Sequence, residues 1–145
     1  MGAGAWVVLG TLTMNDNARI GNNETRGANG MNGEVVLESS GTLRMRGNSR
    51  IHDNVCRFAS NSPTVSPTAR TSCGVKSFGE ININGGLIYG GNHPVEDERN
   101  RAANGFNALS IHVSGTVNLP GQIINTSGLI TNTVGVQNGV VFNGL

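Results

Sequence analysis

Two stretches of this chain are copies of one another at a constant offset. Residues 10–23 read Gly-Thr-Leu-Thr-Met-Asn-Asp-Asn-Ala-Arg-Ile-Gly-Asn-Asn, and residues 41–54 read Gly-Thr-Leu-Arg-Met-Arg-Gly-Asn-Ser-Arg-Ile-His-Asp-Asn. Gly10/Gly41, Thr11/Thr42, Leu12/Leu43, Met14/Met45, Asn17/Asn48, Arg19/Arg50, Ile20/Ile51 and Asn23/Asn54 are identical at a spacing of 31 residues. A repeat of this length means one structural unit stacked on its copy, because a single unit cannot bury its apolar face alone.

Weaker copies follow. Gly79-Glu80-Ile81-Asn82-Ile83 and Gly115-Thr116-Val117-Asn118-Leu119 keep the form Gly-x-apolar-x-apolar, with Ile88 and Ile124 in the place of Ile51. A second short apolar run lies upstream of each copy: Trp6 to Leu9, Val35 to Leu37, Val75 to Phe78, and Leu109 to Val113; one more runs from Val134 to Phe142. Inside each copy the apolar positions alternate, which is the period of a strand with one buried face. No window of 11 residues or more carries apolar residues at helical spacing, and Gly and Asn interrupt every stretch.

The sequence therefore predicts an all-β chain. The expected architecture is a short right-handed, single-stranded parallel β-helix of four to five coils with loop insertions at one corner. Its handedness follows from the crossover rule. The expected coils span about residues 5–33, 34–72, 73–105 and 106–130, with a partial coil over 131–145, in one domain. Leu12, Leu43, Ile81 and Val117 then form one inward row; Met14, Met45, Ile83 and Leu119 a second; Ile20, Ile51, Ile88 and Ile124 a third. Gly suits the corners, through positive φ or close approach of neighbouring coils. Asn23, Asn54 and Asn92 are expected to form a ladder of side-chain amides between coils.

Composition narrows the function classes. The 22 Gly and 20 Asn of the 145 residues suit dense turns, and a net charge of +1 gives no general case for nucleic acid or an anionic membrane. One Trp, one Tyr and four Phe offer little for base stacking. No stretch approaches the ~20 apolar residues of a membrane span. No secretion signal is legible near Met1, and the apolar repeat reaches both ends, so a fragment of a larger protein, or open ends that pack against something, is expected. Cys56 and Cys73 bracket one insertion; a disulfide there is one reading and two free thiols the other, the bridge implying an oxidising compartment.

Three segments vary in length, 22–33, 55–72 and 93–105, and are expected to leave the same corner side by side as a recognition surface. The third holds the most charged run of the chain, Glu96-Asp97-Glu98-Arg99-Asn100-Arg101. The candidate binding residues are Glu96, Asp97, Glu98, Arg99 and Arg101 of this loop together with the basic cluster Arg19, Arg44, Arg46 and Arg50, and it is that arginine cluster that suits an anionic glycan or a partner's carboxylates. Glycoside hydrolysis needs two carboxylates facing one cleft, and the repeat places no second acid beside Asp53. His52, His93 and His112 show no metal-ligand spacing, so no catalytic residue, metal or cofactor is assigned.

Gly-Thr-Leu-Thr-Met-Asn-x-Asn-Ala-x-Ile-x-x-Asn, with Ile20-Gly21-Asn22-Asn23 and Ile51-His52-Asp53-Asn54, resembles the β-helix repeats of bacterial polymorphic outer-membrane proteins and adhesin-like autotransporter passengers. The resemblance covers roughly residues 5–125 and implies cell-surface or extracellular display, and adhesion to or binding of a surface protein or glycan. The expected function is a non-enzymatic surface or secreted binding module. The alternatives are a carbohydrate-binding or carbohydrate-active segment, and a structural module that self-associates end to end.

Overall fold

The structure, a computed structural model, describes residues 4–27, 35–58, 72–102, 105–112, 114–124 and 128–142. The segments expected as loops over 22–33 and 55–72 lie in large part outside the described residues, as does the Ser/Thr/Pro-rich stretch after Asn61.

Among the described residues fifteen strands form two sheets. In chain order they are β1 (Ala5–Met14), β2 (Arg19–Gly27), β3 (Val35–Met45), β4 (Arg50–Phe58), β5 (Val75–Ser77), β6 (Glu80–Ile83), β7 (Gly86–Ile88), β8 (Arg101–Ala102), β9 (Gly105–Phe106), β10 (Leu109–Ile111), β11 (Thr116–Leu119), β12 (Gln122–Ile124), β13 (Gly128–Ile130), β14 (Val134–Gln137) and β15 (Val140–Phe142). One sheet of eight strands runs β12-β11-β6-β3-β5-β10-β13, with β1 added beside β3. The other, of seven, runs β15-β14-β7-β4-β8-β9, with β2 beside β4. A single 3-10 turn, Glu96–Glu98, is the helical element among the described residues.

The internal repeat appears as register. β1 pairs with β3 in parallel, matching Thr11 to Thr42, Leu12 to Leu43 and Met14 to Met45. β2 pairs with β4 in the same sense, matching Arg19 to Arg50, Ile20 to Ile51 and Asn23 to Asn54. Leu43 then meets Ile81, Ile81 meets Val117, and Ile51 meets Ile88. Alternate residues face inward, so Leu43, Met45, Ile51, Ile81, Ile83, Ile88 and Val117 are fully buried in one core shared by the two sheets. Each such side chain contributes about 1.5–3 kcal/mol by leaving water. Gly41 and Gly79 mark where neighbouring backbones close in. A Cβ on Gly79 would lie 2.1 Å from the Gly41 carbonyl oxygen, and one on Gly41 would lie 2.5 Å from that of Val7.

The expected parallel β-helix is not what forms. The sheets are mixed parallel–antiparallel half-barrels, because the chain reverses where the fourth coil was expected. After Leu119 it turns back through Pro120-Gly121, and β12 runs antiparallel to β11 with Leu119 opposite Gln122. Pro fixes the first turn position and Gly121 supplies the positive φ of 78° that the second needs. Asn138-Gly139, with φ of 50° and 75°, makes the two-residue hairpin joining β14 to β15. β13 returns antiparallel to β10, and β14 antiparallel to β7. Ile124 accordingly faces Val117 across a hairpin, and Val134 takes the place beside Ile88 that was expected of Ile124.

The amide ladder exists with a different third member. Asn23 donates Nδ2 to Asn54 Oδ1 at 3.0 Å, and Asn54 donates Nδ2 to Asn100 Oδ1 at 2.8 Å. Asn100, fully buried, donates in turn to the carbonyls of Ile51 (2.9 Å) and Tyr89 (2.8 Å). Asn92 instead accepts from the backbone N–H of Thr133. The third insertion thus leaves before its ladder Asn rather than after it. Asn22 and Asp53, one residue ahead of their ladder amides, share left-handed φ of 58° and 51°.

Cys56 and Cys73 form a disulfide with Cα atoms 5.5 Å apart, closing a loop of sequence separation 17. Reduction is expected to remove about 3 kcal/mol in the chain-entropy picture. Denaturant titration with and without reductant measures it, and an unchanged midpoint would refute it. Asn100→Ala takes the side-chain donor from the Ile51 and Tyr89 carbonyls, which keep the backbone N–H groups of Tyr89 and Asn100, and takes the buried Oδ1 acceptor from the Asn54 main-chain N–H and Nδ2. A loss of about 3 kcal/mol is expected, against less than about 0.5 kcal/mol for the exposed Asn48→Ala.

Candidate functional site

The insertion between Tyr89 and Asn100 is pinned at both ends and along its length. At its start, Gly90 N–H donates to Thr133 Oγ1 at 3.0 Å, and Gly91 N–H to the Thr131 carbonyl at 2.6 Å. At its end, Asn100 is held by the ladder, and Arg99 Nε donates to the His93 carbonyl at 2.6 Å. The Arg99 and Arg101 guanidinium groups lie 5.0 and 5.4 Å from the centroid of the Phe106 ring, which fixes them as a clamp on β9.

Between this loop and strands β4, β7 and β14 lies a cavity of about 450 Å³ lined by Arg50, Leu87, Tyr89, Asn92, His93, Pro94, Val95, Glu98, Thr133 and Gln137. Tyr89 and His93 stack with ring centroids 3.7 Å apart and planes 14° from parallel. His52 adds a third ring, 5.6 Å from Tyr89. His93 Nδ1 lies 3.3 Å from the Val95 N–H and 3.2 Å from the Val95 carbonyl oxygen, and its Nε2 faces Glu98 Oε2 at 3.8 Å. A larger, shallow hollow of about 670 Å³ on the β11–β12 hairpin holds no ionisable side chain and offers only Asn118 and Gln122 as polar side chains.

The electrostatics follow from burial. Tyr89 is 3 % exposed, and loss of water pushes its phenol above its ordinary pKa; Arg50, which also hydrogen-bonds it, pulls the other way, and Glu98 adds to the rise. Tyr89 is therefore a neutral donor and acceptor at physiological pH. Burial also lowers the pKa of His52; Glu98 and Asp53 oppose this, while Arg19 and Arg50 reinforce it. His52 Nδ1 is buried without a hydrogen-bond partner.

The structure divides the residues singled out from sequence. Arg19 and Arg50 are register neighbours in the seven-stranded sheet, and Arg50 lines the cavity. Arg44 stands in the other sheet, between Thr13 and Asn82, and Arg46 in the turn after β3, so the four arginines are not one patch. Of the acidic run, Glu98 lines the cavity; Glu96 and Asp97 sit on the exposed 3-10 turn. Tyr89, Thr133 and Gln137 escaped the sequence reading, and Asn92 entered it only as an expected ladder amide. The one available signal was the sole Tyr of the chain set directly before Gly90-Gly91-Asn92-His93-Pro94. Among the described residues no group of three or more His, Cys, Asp or Glu side chains is placed to hold a metal ion, and no helix is long and apolar enough to cross a membrane.

No protein-family model matches this chain, no curated protein matches it, and no solved structure matches it.

His52 protonates near 6.5 in the unfolded chain and at lower pH when folded, so the unfolded state takes up the proton first as pH falls. Its contribution to stability is complete above pH 6.5 and declines below it. Tyr89 acts in the opposite sense, losing stability as pH rises past 10.0 because the unfolded phenol ionises first. Denaturation midpoints from about pH 5 to 7 should fall toward the acid side, and His52→Gln should flatten that slope. A variant with the same slope as the parent would show that His52 is not its source.

Proposed function

We propose that this protein is a non-catalytic binding module of a secreted or surface-displayed protein, and that its cavity takes a polar ligand bearing an anionic group, an acidic glycan unit being the class that fits best. The observation that carries this reading is the placement of Arg50: half-buried, in register with Arg19, bonded to the Tyr89 phenol and open to the cavity. A guanidinium presents a planar fork of donors that matches a carboxylate or sulfate. Asn92, Gln137 and Thr133 add polar groups of the kind that orient hydroxyls, while Leu87, Pro94 and Val95 supply apolar wall. The loop is tied at both ends, so little ordering entropy opposes binding. The Cys56–Cys73 disulfide supports an oxidising, extracytoplasmic setting.

A panel of acidic and neutral oligosaccharides tests the reading. Retention of acidic members is expected, with Arg50→Ala weakening binding by about 10–100-fold, the worth of one charge-assisted hydrogen bond. Arg44→Ala, in the other sheet, is expected to leave binding unchanged. Equal retention of neutral sugars, or indifference to Arg50→Ala, would sink it, and release of new reducing ends would establish an enzyme instead.

A further inference from the structure

The two ends of the stacked sheets differ. At one end the chain reverses and covers its own core: Ile124, Ile130 and Val136 are buried, each on a strand that returns antiparallel or pairs with one that does. At the other, among the described residues, β1 pairs only with β3 and β2 only with β4. Among the described residues the inward columns end there, with Leu12 and Ile20 partly exposed and Met14 buried. Leu43 and Ile81 are fully buried, whereas Leu12 above them is only partly so; Ile51 and Ile88 are fully buried, whereas Ile20 is partly so.

Three features say what this edge is shaped to receive. Leu12 and Ile20 stand in the register positions through which Leu43 accepts Ile81 and Ile51 accepts Ile88, so the next side chains in each column are aliphatic and spaced as in the repeat. The amide ladder has a direction, each Nδ2 donating to the Oδ1 of the next member. Asn23 gives its Nδ2 to Asn54, and its own Oδ1 is the acceptor that direction leaves for an Asn beyond it. Finally, β1 (Ala-Trp-Val-Val-Leu-Gly-Thr-Leu-Thr-Met) carries no charge and no Pro, the usual protections of an edge strand, and exposes Trp6 (51 %), Val8 (57 %) and Leu9 (82 %).

We infer that the β1–β2 edge is a docking surface for a partner polypeptide carrying the same repeat, which adds a strand pair in parallel with Gly-x-aliphatic-x-aliphatic beside β1 and Ile-x-x-Asn beside β2. A second copy of this chain does not meet that description. Its own β1 and β2 are already paired on one side, so only the same free edge is offered, and a twofold axis would set the two edges antiparallel. Backbone pairing supplies affinity in such strand addition, and the side-chain columns supply specificity.

The probe is a synthetic peptide with the sequence of residues 35–58 and Cys56→Ser, added to the intact chain and read by amide hydrogen exchange and calorimetry. One-to-one binding is expected, with exchange slowed in β1 and β2. Peptides carrying Ile51→Asp or Asn54→Ala should bind at least tenfold more weakly, and so should the parent peptide to the Leu12→Lys protein. The peptide variants keep the test valid if Leu12→Lys impairs folding. Equal binding of a scrambled peptide, or no change in β1 and β2 exchange, overturns the inference. Sedimentation showing a dimer of the chain alone that Leu12→Lys abolishes also overturns it, by assigning the edge to a second copy.

Discussion

The corner of the seven-stranded sheet depends on one fully buried side chain. Asn100 has no water to fall back on, and its amide answers several backbone needs at once. Nδ2 donates to carbonyls on β4 and after β7, and Oδ1 accepts both the main-chain N–H and the side chain of Asn54. Buried polar groups in such a place stabilise only when fully partnered. The amide needs its neighbours fixed, and in return it fixes where the chain leaves Tyr89 and where it comes back. The cavity is a consequence: the residues between those two points have to bulge outward, and they carry His93, Pro94, Val95 and Glu98 with them.

Much of the strand pairing was legible because the physics behind it is local and periodic. Alternation decided which side chains face inward, and the identical pairs at constant offset decided which ones stack, from Leu12/Leu43 to Ile20/Ile51. The extension of that stacking to a continuous parallel β-helix failed, and it failed at two dipeptides. Pro120-Gly121 and Asn138-Gly139 are turn signals with a mechanism, left-handed φ at Gly121, Asn138 and Gly139. The likeness of Gly115–Leu119 to earlier copies points instead to continued stacking. A template match states which residues face the core; it is silent on whether the chain carries on or turns back. Asn92 shows the same weakness, since spacing from Ile88 pointed to it while burial selected Asn100.

The candidate site was legible in its charges and hidden in its shape. Arg19 and Arg50 were visible because the repeat aligned them, and Glu98 because it sits in a charged run. Tyr89 looked like one aromatic residue at a strand end. Its importance comes from tertiary placement: stacked on His93, near His52 and bonded to Arg50, all from segments apart in sequence or joined by a loop whose path no pattern announces.

One cost in this arrangement bears on what the site is for. Register pairing sets Arg19 beside Arg50 at the spacing of neighbouring strands, about 4.8 Å between backbones. Like charges directly opposite one another destabilise a sheet. Stability alone gives no reason for a repeat to keep both, when the positions paired across Thr13 and Arg44 in the other sheet show that one charge per row suffices. The one negative charge inside the cavity lining is Glu98, which also faces the His93 ring. Arg50 and Glu98 are the charged pair of the lining, and Arg19 stands beside Arg50 on the exposed side of the sheet. Under the proposed function an anion in the cavity would offset part of that Arg19–Arg50 repulsion in addition to making its own hydrogen bonds.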